Sequence, residues 1–126
     1  MNTQKAGVTL LELIVVIVIV GILAVISLPK FTAMKENSFD QEAIANLKII
    51  QDAEKYYKME TGSYVSCLDV TAINTNLKLL LPSSENWNYK VEVVSGAFTA
   101  KAQRIGSDSR VKCIQETNDD PYTCTW

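Results

Sequence analysis

The sequence predicts an α+β fold: one long N-terminal helix, half of it membrane-type and half amphipathic, packed on a three- to four-stranded antiparallel sheet. Three observations carry this expectation. Residues 8–28 are almost entirely apolar, with Glu12 their one charged side chain. Phe39, Ala43, Leu47, Ile50, Ala53 and Tyr57 then recur at spacings of three and four, one stripe of a 3.6-residue helix. Beyond residue 86, segments between turn signals alternate apolar and polar residues, the period of half-buried strands. A chain of 126 residues leaves room for one small folded head after such a helix.

The apolar segment is long enough to cross a hydrocarbon core of about 30 Å at ~1.5 Å per residue. Its many Val and Ile residues are weak helix formers in water, but a single segment in lipid must close its own backbone hydrogen bonds, so it becomes a helix. A removable secretory signal has an apolar core of roughly 7–15 residues and then a small-residue cleavage site. Here the run is longer, no A-x-A precedes Pro29, and Glu12 sits inside it. A plain membrane anchor satisfies the hydropathy but leaves Glu12 unexplained, since a carboxylate costs up to about 3 kcal/mol at the bilayer centre and less near its edge. Gly21 and Pro29 interrupt the pattern; Pro29 removes the hydrogen bond to the Val25 carbonyl and bends the helix. Lys5 before the run and Lys30 after it give a weak orientation signal.

The helix continues to residue 61. Gln41, Lys48, Asp52 and Lys55 lie on a polar face, Glu54 and Lys58 are an i,i+4 pair, and Gly62 supplies a left-handed cap. Residues 63–86 are a connecting loop, within which Asp69 caps a short helix held by Ile73, Leu77 and Leu80. Trp87, Tyr89, Val91 and Val93 mark one strand, and Ser95-Gly96 a tight turn. Phe98, Ala100 and Ala102 mark a second strand, "GSDS" a turn, and "RVKCIQ" a third strand. Residues 113–124 read as a polar loop with a turn at Asp120-Pro121. The three cysteines, Cys67, Cys113 and Cys124, allow three single bridges and leave one thiol over.

Several function classes drop out. The chain has no histidine, so neither a Ser/His/Asp nor a Cys/His catalytic set can form. No glycine-rich phosphate loop is present. Twelve basic and 14 acidic residues, a net charge of −2, give no footprint for nucleic acid. The cysteine spacing is not that of a zinc site, so neither metal nor cofactor is expected. Asp108, Asn118, Asp119 and Asp120 offer oxygen ligands to calcium, but their spacing matches no calcium loop, and they read as a solvated acidic segment.

"AGVTLLELIVVIVIVGILAVISLPKF" closely resembles the N-terminus of type IV pilins and type II secretion pseudopilins. That family's motif is a leader ending in glycine, one residue, Thr-Leu-x-Glu-Leu and a long apolar helix. It is matched here by Gly7, Val8, Thr9, Leu10, Glu12 and Leu13, with Pro29 where the family usually has a proline. The resemblance implies residues 1–7 as leader, 8–28 as membrane and assembly helix, 29–62 as its amphipathic continuation and 63–126 as a globular head.

It further implies that a prepilin peptidase in the inner membrane cuts between Gly7 and Val8 and methylates the new amine, although the family more often has Phe or Met where Val8 stands. The head would lie on the periplasmic side, held in membrane lipid until an inner-membrane platform assembles it with copies of itself and other pilins. Glu12 would pair with a neighbour's N-terminal amine, and the segment from Gly21 to Pro29 would unwind in the filament. Many type IV pilins close a C-terminal loop with a disulfide, which favours Cys113–Cys124 here. A surface pilus subunit, a secretion pseudopilin and a minor pilin with a binding role are the readings that follow, and none of them is an enzyme.

Overall fold

A computed structural model describes residues 7–106 and 109–126, with the backbone alone at Leu28 and Pro29. The leader residues 1–6 and the calcium candidate Asp108 lie outside the described residues. Element order is α1 (Leu10–Thr61), α2 (Val70–Asn76), β1 (Trp87–Val94), β2 (Ala97–Arg104), β3 (Val111–Gln115) and β4 (Asn118–Thr123). The chain divides into two units, Met1–Ser38 and Phe39–Trp126.

The first unit is the N-terminal part of α1. It begins at Leu10 rather than at Val8, and Gly21 and Pro29 both fall within the one helix.

In the second unit the α1 stripe behaves as its spacing requires. Ala43, Leu47 and Ile50 are fully buried, with Phe39, Ala53 and Tyr57 packed partly buried beside them. They meet the inner face of the sheet, where Trp87, Tyr89, Val91, Phe98, Ala100, Ala102 and Ile114 are buried. Strand order is β1-β2-β3-β4, all antiparallel. Val91, Ala100 and Ile114 are in register across three strands, which keeps one apolar row facing the helix. The β1–β2 turn is Ser95-Gly96 with both residues at positive φ, 53° and 82°, the type that matches strand twist. At one end of the unit Asp40 on α1 pairs with Arg110 at 3.1 Å and Lys112 at 3.5 Å, and the Arg104 guanidinium lies 4.3 Å from the centre of the Phe39 ring.

Three expectations are corrected. The segment from Cys113 to Cys124 is a hairpin rather than a loop: it turns at Glu116-Thr117, and β4 carries Asp120 and Pro121 as an edge strand. Proline lacks a donor, so an edge strand is where it is tolerated. Leu80 does not hold α2 down: it is 98% exposed, and Leu81 takes the buried place. Glu54 and Lys58 do not pair. Glu54 is buried, and Lys58 turns to Glu116 at 3.2 Å. Asp69 does cap α2, its carboxylate accepting the Ala72 N–H at 2.7 Å.

Candidate functional site

The N-terminal site is built on a helix start. Gly7, Val8 and Thr9 are outside the helix, and Thr9 caps it. The Thr9 hydroxyl accepts the Glu12 N–H at 3.2 Å, and the Thr9 carbonyl accepts the Leu13 N–H at 3.2 Å. Thr-x-x-Glu is the spacing of a capping box, which places Glu12 in the first turn, where the helix dipole favours an anion. The sequence reading of Glu12 missed this local role, although the spacing itself signals it.

From Val8 to Ile26 every large aliphatic side chain is exposed: Val8 is 72% exposed, Leu10 76%, and even Ile14 remains 47% exposed. The most apolar window of α1 has a mean hydropathy of 3.1 and no buried share, and α1 is the one helix among the described residues long and apolar enough to cross a membrane. A helix apolar on every side is stable only when something outside the subunit covers it. Glu12 is exposed and, among the described residues, makes no ion pair. A β-carbon at Gly7 or Gly21 would meet nothing within 4 Å, and neither has positive φ. Among the described residues nothing therefore requires glycine at either place. Ser27 returns its hydroxyl to the Leu23 carbonyl at 2.8 Å, the usual way to hide a hydroxyl on an apolar helix.

The C-terminal hairpin is the second site. Cys113 and Cys124 form a disulfide with Cα atoms 6.0 Å apart, while Cys67 is free and buried. Gln51 on α1 clamps this hairpin. Its amide nitrogen donates to the Gln115 carbonyl at 2.7 Å, the Asn118 carbonyl at 3.3 Å and the Asp119 carboxylate at 3.1 Å. Lys55 also pairs with Asp119 at 3.3 Å. The Asn118 side chain accepts the Asp120 N–H at 3.0 Å. Oxygens of Asn118 and Asp119, two of the residues considered for calcium, thus serve protein donors, and among the described residues no group of three or more acidic, Cys or His side chains converges. On the outer sheet face Glu92 bridges Lys90 at 2.9 Å and Lys101 at 2.6 Å, and the two ammonium groups hold its carboxyl below the usual range. The Lys90 ammonium also lies 4.2 Å from the centre of the Trp126 ring.

A family model described as the prokaryotic N-terminal methylation motif matches residues 2–28. A type IV major pilin of Myxococcus xanthus is 40% identical over 63 residues, half of this chain and 29% of the relative. Core protein G of the type II secretion system of Escherichia coli is 31% identical over 68% of this chain and 59% of the relative. A type IV major pilin of Neisseria gonorrhoeae is 31% identical over 89% of this chain and 66% of the relative. The chain thus spans less than two thirds of the length of each of these relatives. No solved structure matches it.

Proposed function

The chain is a member of the family of type IV pilins and type II secretion pseudopilins, and on that premise we propose that it is a filament subunit, stored in the inner membrane and assembled through α1. The observation that carries the proposal is the exposed, all-round apolar helix with a single acid, Glu12, in its first turn. Lipid covers such a helix before assembly, and neighbouring helices cover it afterwards. Prepilin peptidase cuts between Gly7 and Val8. The glycine, which no contact or backbone angle among the described residues requires, is then read by the enzyme.

Cleavage leaves an amine on Val8, which the same enzyme methylates. Apolar faces adhere without fixing register, whereas one charge pair in low dielectric fixes it. Glu12 of one subunit meets the Val8 amine of the next, and each offsets the desolvation of the other. The Gly21–Pro29 segment unwinds as the filament forms, since glycine there is a weak helix former and Pro29 removes a backbone bond.

Between the two branches of the family, a surface pilus is favoured by the gonococcal pilin relative, whose similarity spans 89% of this chain and so includes the head. The disulfide-closed hairpin agrees with that reading. A pseudopilin of a secretion system is the second reading, supported by relatives named core protein G. The test is the intact mass of the protein in filaments sheared from cells. A chain beginning at Val8, one methyl group heavier and two hydrogens lighter, supports processing and one disulfide together. Processed chain confined to the cell envelope favours the pseudopilin. Retention of Met1–Gly7 in cells with an active peptidase removes the whole reading.

A further inference from the structure

Glu54 is the one acidic side chain in the buried core of the described residues, 0% exposed. Its Oε2 accepts the Val65 N–H at 3.1 Å, and its Oε1 has no hydrogen-bond partner. Val65 belongs to a four-residue strap, 64–67, that runs from the end of α1 to the edge of β1. The Tyr64 ring meets Phe98 edge-on at 4.7 Å. The Ser66 hydroxyl donates to the Val91 carbonyl at 2.9 Å. Cys67 and Val91 exchange two backbone bonds of 2.9 and 2.7 Å, and Asn76 donates to the Cys67 sulfur at 3.6 Å.

We propose that Glu54 is a proton-operated latch on this strap: protonated, it holds residues 64–67 closed; ionised, it favours a local opening that bares Cys67 and the β1 edge. A neutral carboxyl can keep its carbonyl oxygen on the Val65 N–H and suffer little from apolar surroundings. An ionised one leaves a charged oxygen unpaired in the core, and water entering under the strap relieves it.

Burial pushes the Glu54 carboxyl up to about 7, against the smaller lowering effect of the Val65 bond. The groups around it leave that range clear. From the strap, the Tyr64 hydroxyl and the Cys67 thiol are both pushed up, chiefly by burial, and the charges of Glu54 and of Asp69 before α2 add to the shift at Cys67. On α1, the Lys58 ammonium is raised by Glu116 and Tyr64, and Lys55 is paired with Asp119. From the β3–β4 turn, Glu116 is lowered by its bonds to Tyr64 and Lys58. The buried inner-face residues of the sheet at Val91, Phe98, Ala100 and Ile114 carry no charge.

The sign follows from the raised value. The closed form holds a proton that an opened Glu54 releases, so closure is strongest below the ordinary 4.5 and weakens as pH rises to about 7. The experiment is amide hydrogen exchange of the full-length chain in detergent micelles, corrected for intrinsic rates. Protection of the Val65, Cys67 and Val91 amides should fall by up to about tenfold per pH unit between about 5 and 7, then level off, while β2 and β3 amides keep theirs. Glu54→Gln should abolish the slope. Equal pH profiles for strap and sheet, or an unchanged slope in E54Q, overturn the proposal. Should E54Q not fold, the Glu54 carboxyl carbon of the unmodified protein is followed by NMR. A midpoint near 7 supports the latch, and one in the ordinary glutamate range overturns it.

Discussion

At the residue scale, Glu12 and Gln51 show what the chemistry of one side chain can and cannot announce. Glu12 stands out because it is the single acid in an apolar run, and its Thr9 cap explains its place in the first turn. Glu12→Ala keeps the hydropathy that inserts the segment and leaves Gly7 and Val8 intact. It should therefore leave processed subunit in the membrane while the yield of sheared filaments falls by more than about tenfold, the equivalent of about 1.4 kcal/mol of lost pairing. Quantitative immunoblots of membrane and sheared fractions check this, and equal filament yield would remove Glu12 from assembly.

Gln51 and Glu54 were illegible for the opposite reason. Gln51 and Glu54 each lie four residues beyond a buried stripe residue, Leu47 and Ile50, so their positions pointed inward while their polarity pointed outward. Gln51 is compensated by acceptors on the hairpin, which no local pattern on α1 reveals.

At the element scale, the helices and the β1–β2 turn were read well, because local rules decide them. Asp69 caps α2, Gly62 ends α1 at φ 87°, and Ser95-Gly96 turns β1 into β2. β4 was missed because its residues, Asn118 to Thr123, are polar, acidic and contain a proline. What makes them a strand is tertiary: pairing with β3, the Gln51 clamp and the disulfide. Removing the disulfide by Cys113→Ser with Cys124→Ser should therefore cost the head roughly 3 kcal/mol in the chain-entropy model, visible as a lower denaturant midpoint. The loss should concentrate in β4, since β1–β3 have their own ladder and core. An unchanged midpoint would mean that the Gln51 and Lys55 contacts hold the hairpin unaided.

At the scale of the whole molecule, two units follow different solvents. Residues 8–27 present apolar side chains on every side, whereas from Phe39 onward the apolar residues gather into one core. The amphipathic pattern of α1 changes there, and that change was readable directly from hydrophobic periodicity. A fragment from about Phe39 to Trp126 should then be soluble and monomeric and unfold in one cooperative transition, because it keeps the core, the clamp and the disulfide. Circular dichroism and sedimentation of the fragment check this; aggregation or a broad, non-cooperative melt would show that the N-terminal unit contributes to head stability.

The two outer strands of the sheet carry a further consequence. β1 is occupied at Val91 by Cys67, and β4 offers a proline without a donor, preceded by the carboxylates of Asp119 and Asp120. With the 64–67 strap closed, neither border is a good template for another chain's strand. Heads can crowd against one another at high local density without zipping together irreversibly. If the chain is the filament subunit proposed above, a reserve of such subunits stays colloidally quiet, and the timing of assembly is left to the helix rather than to the sheet.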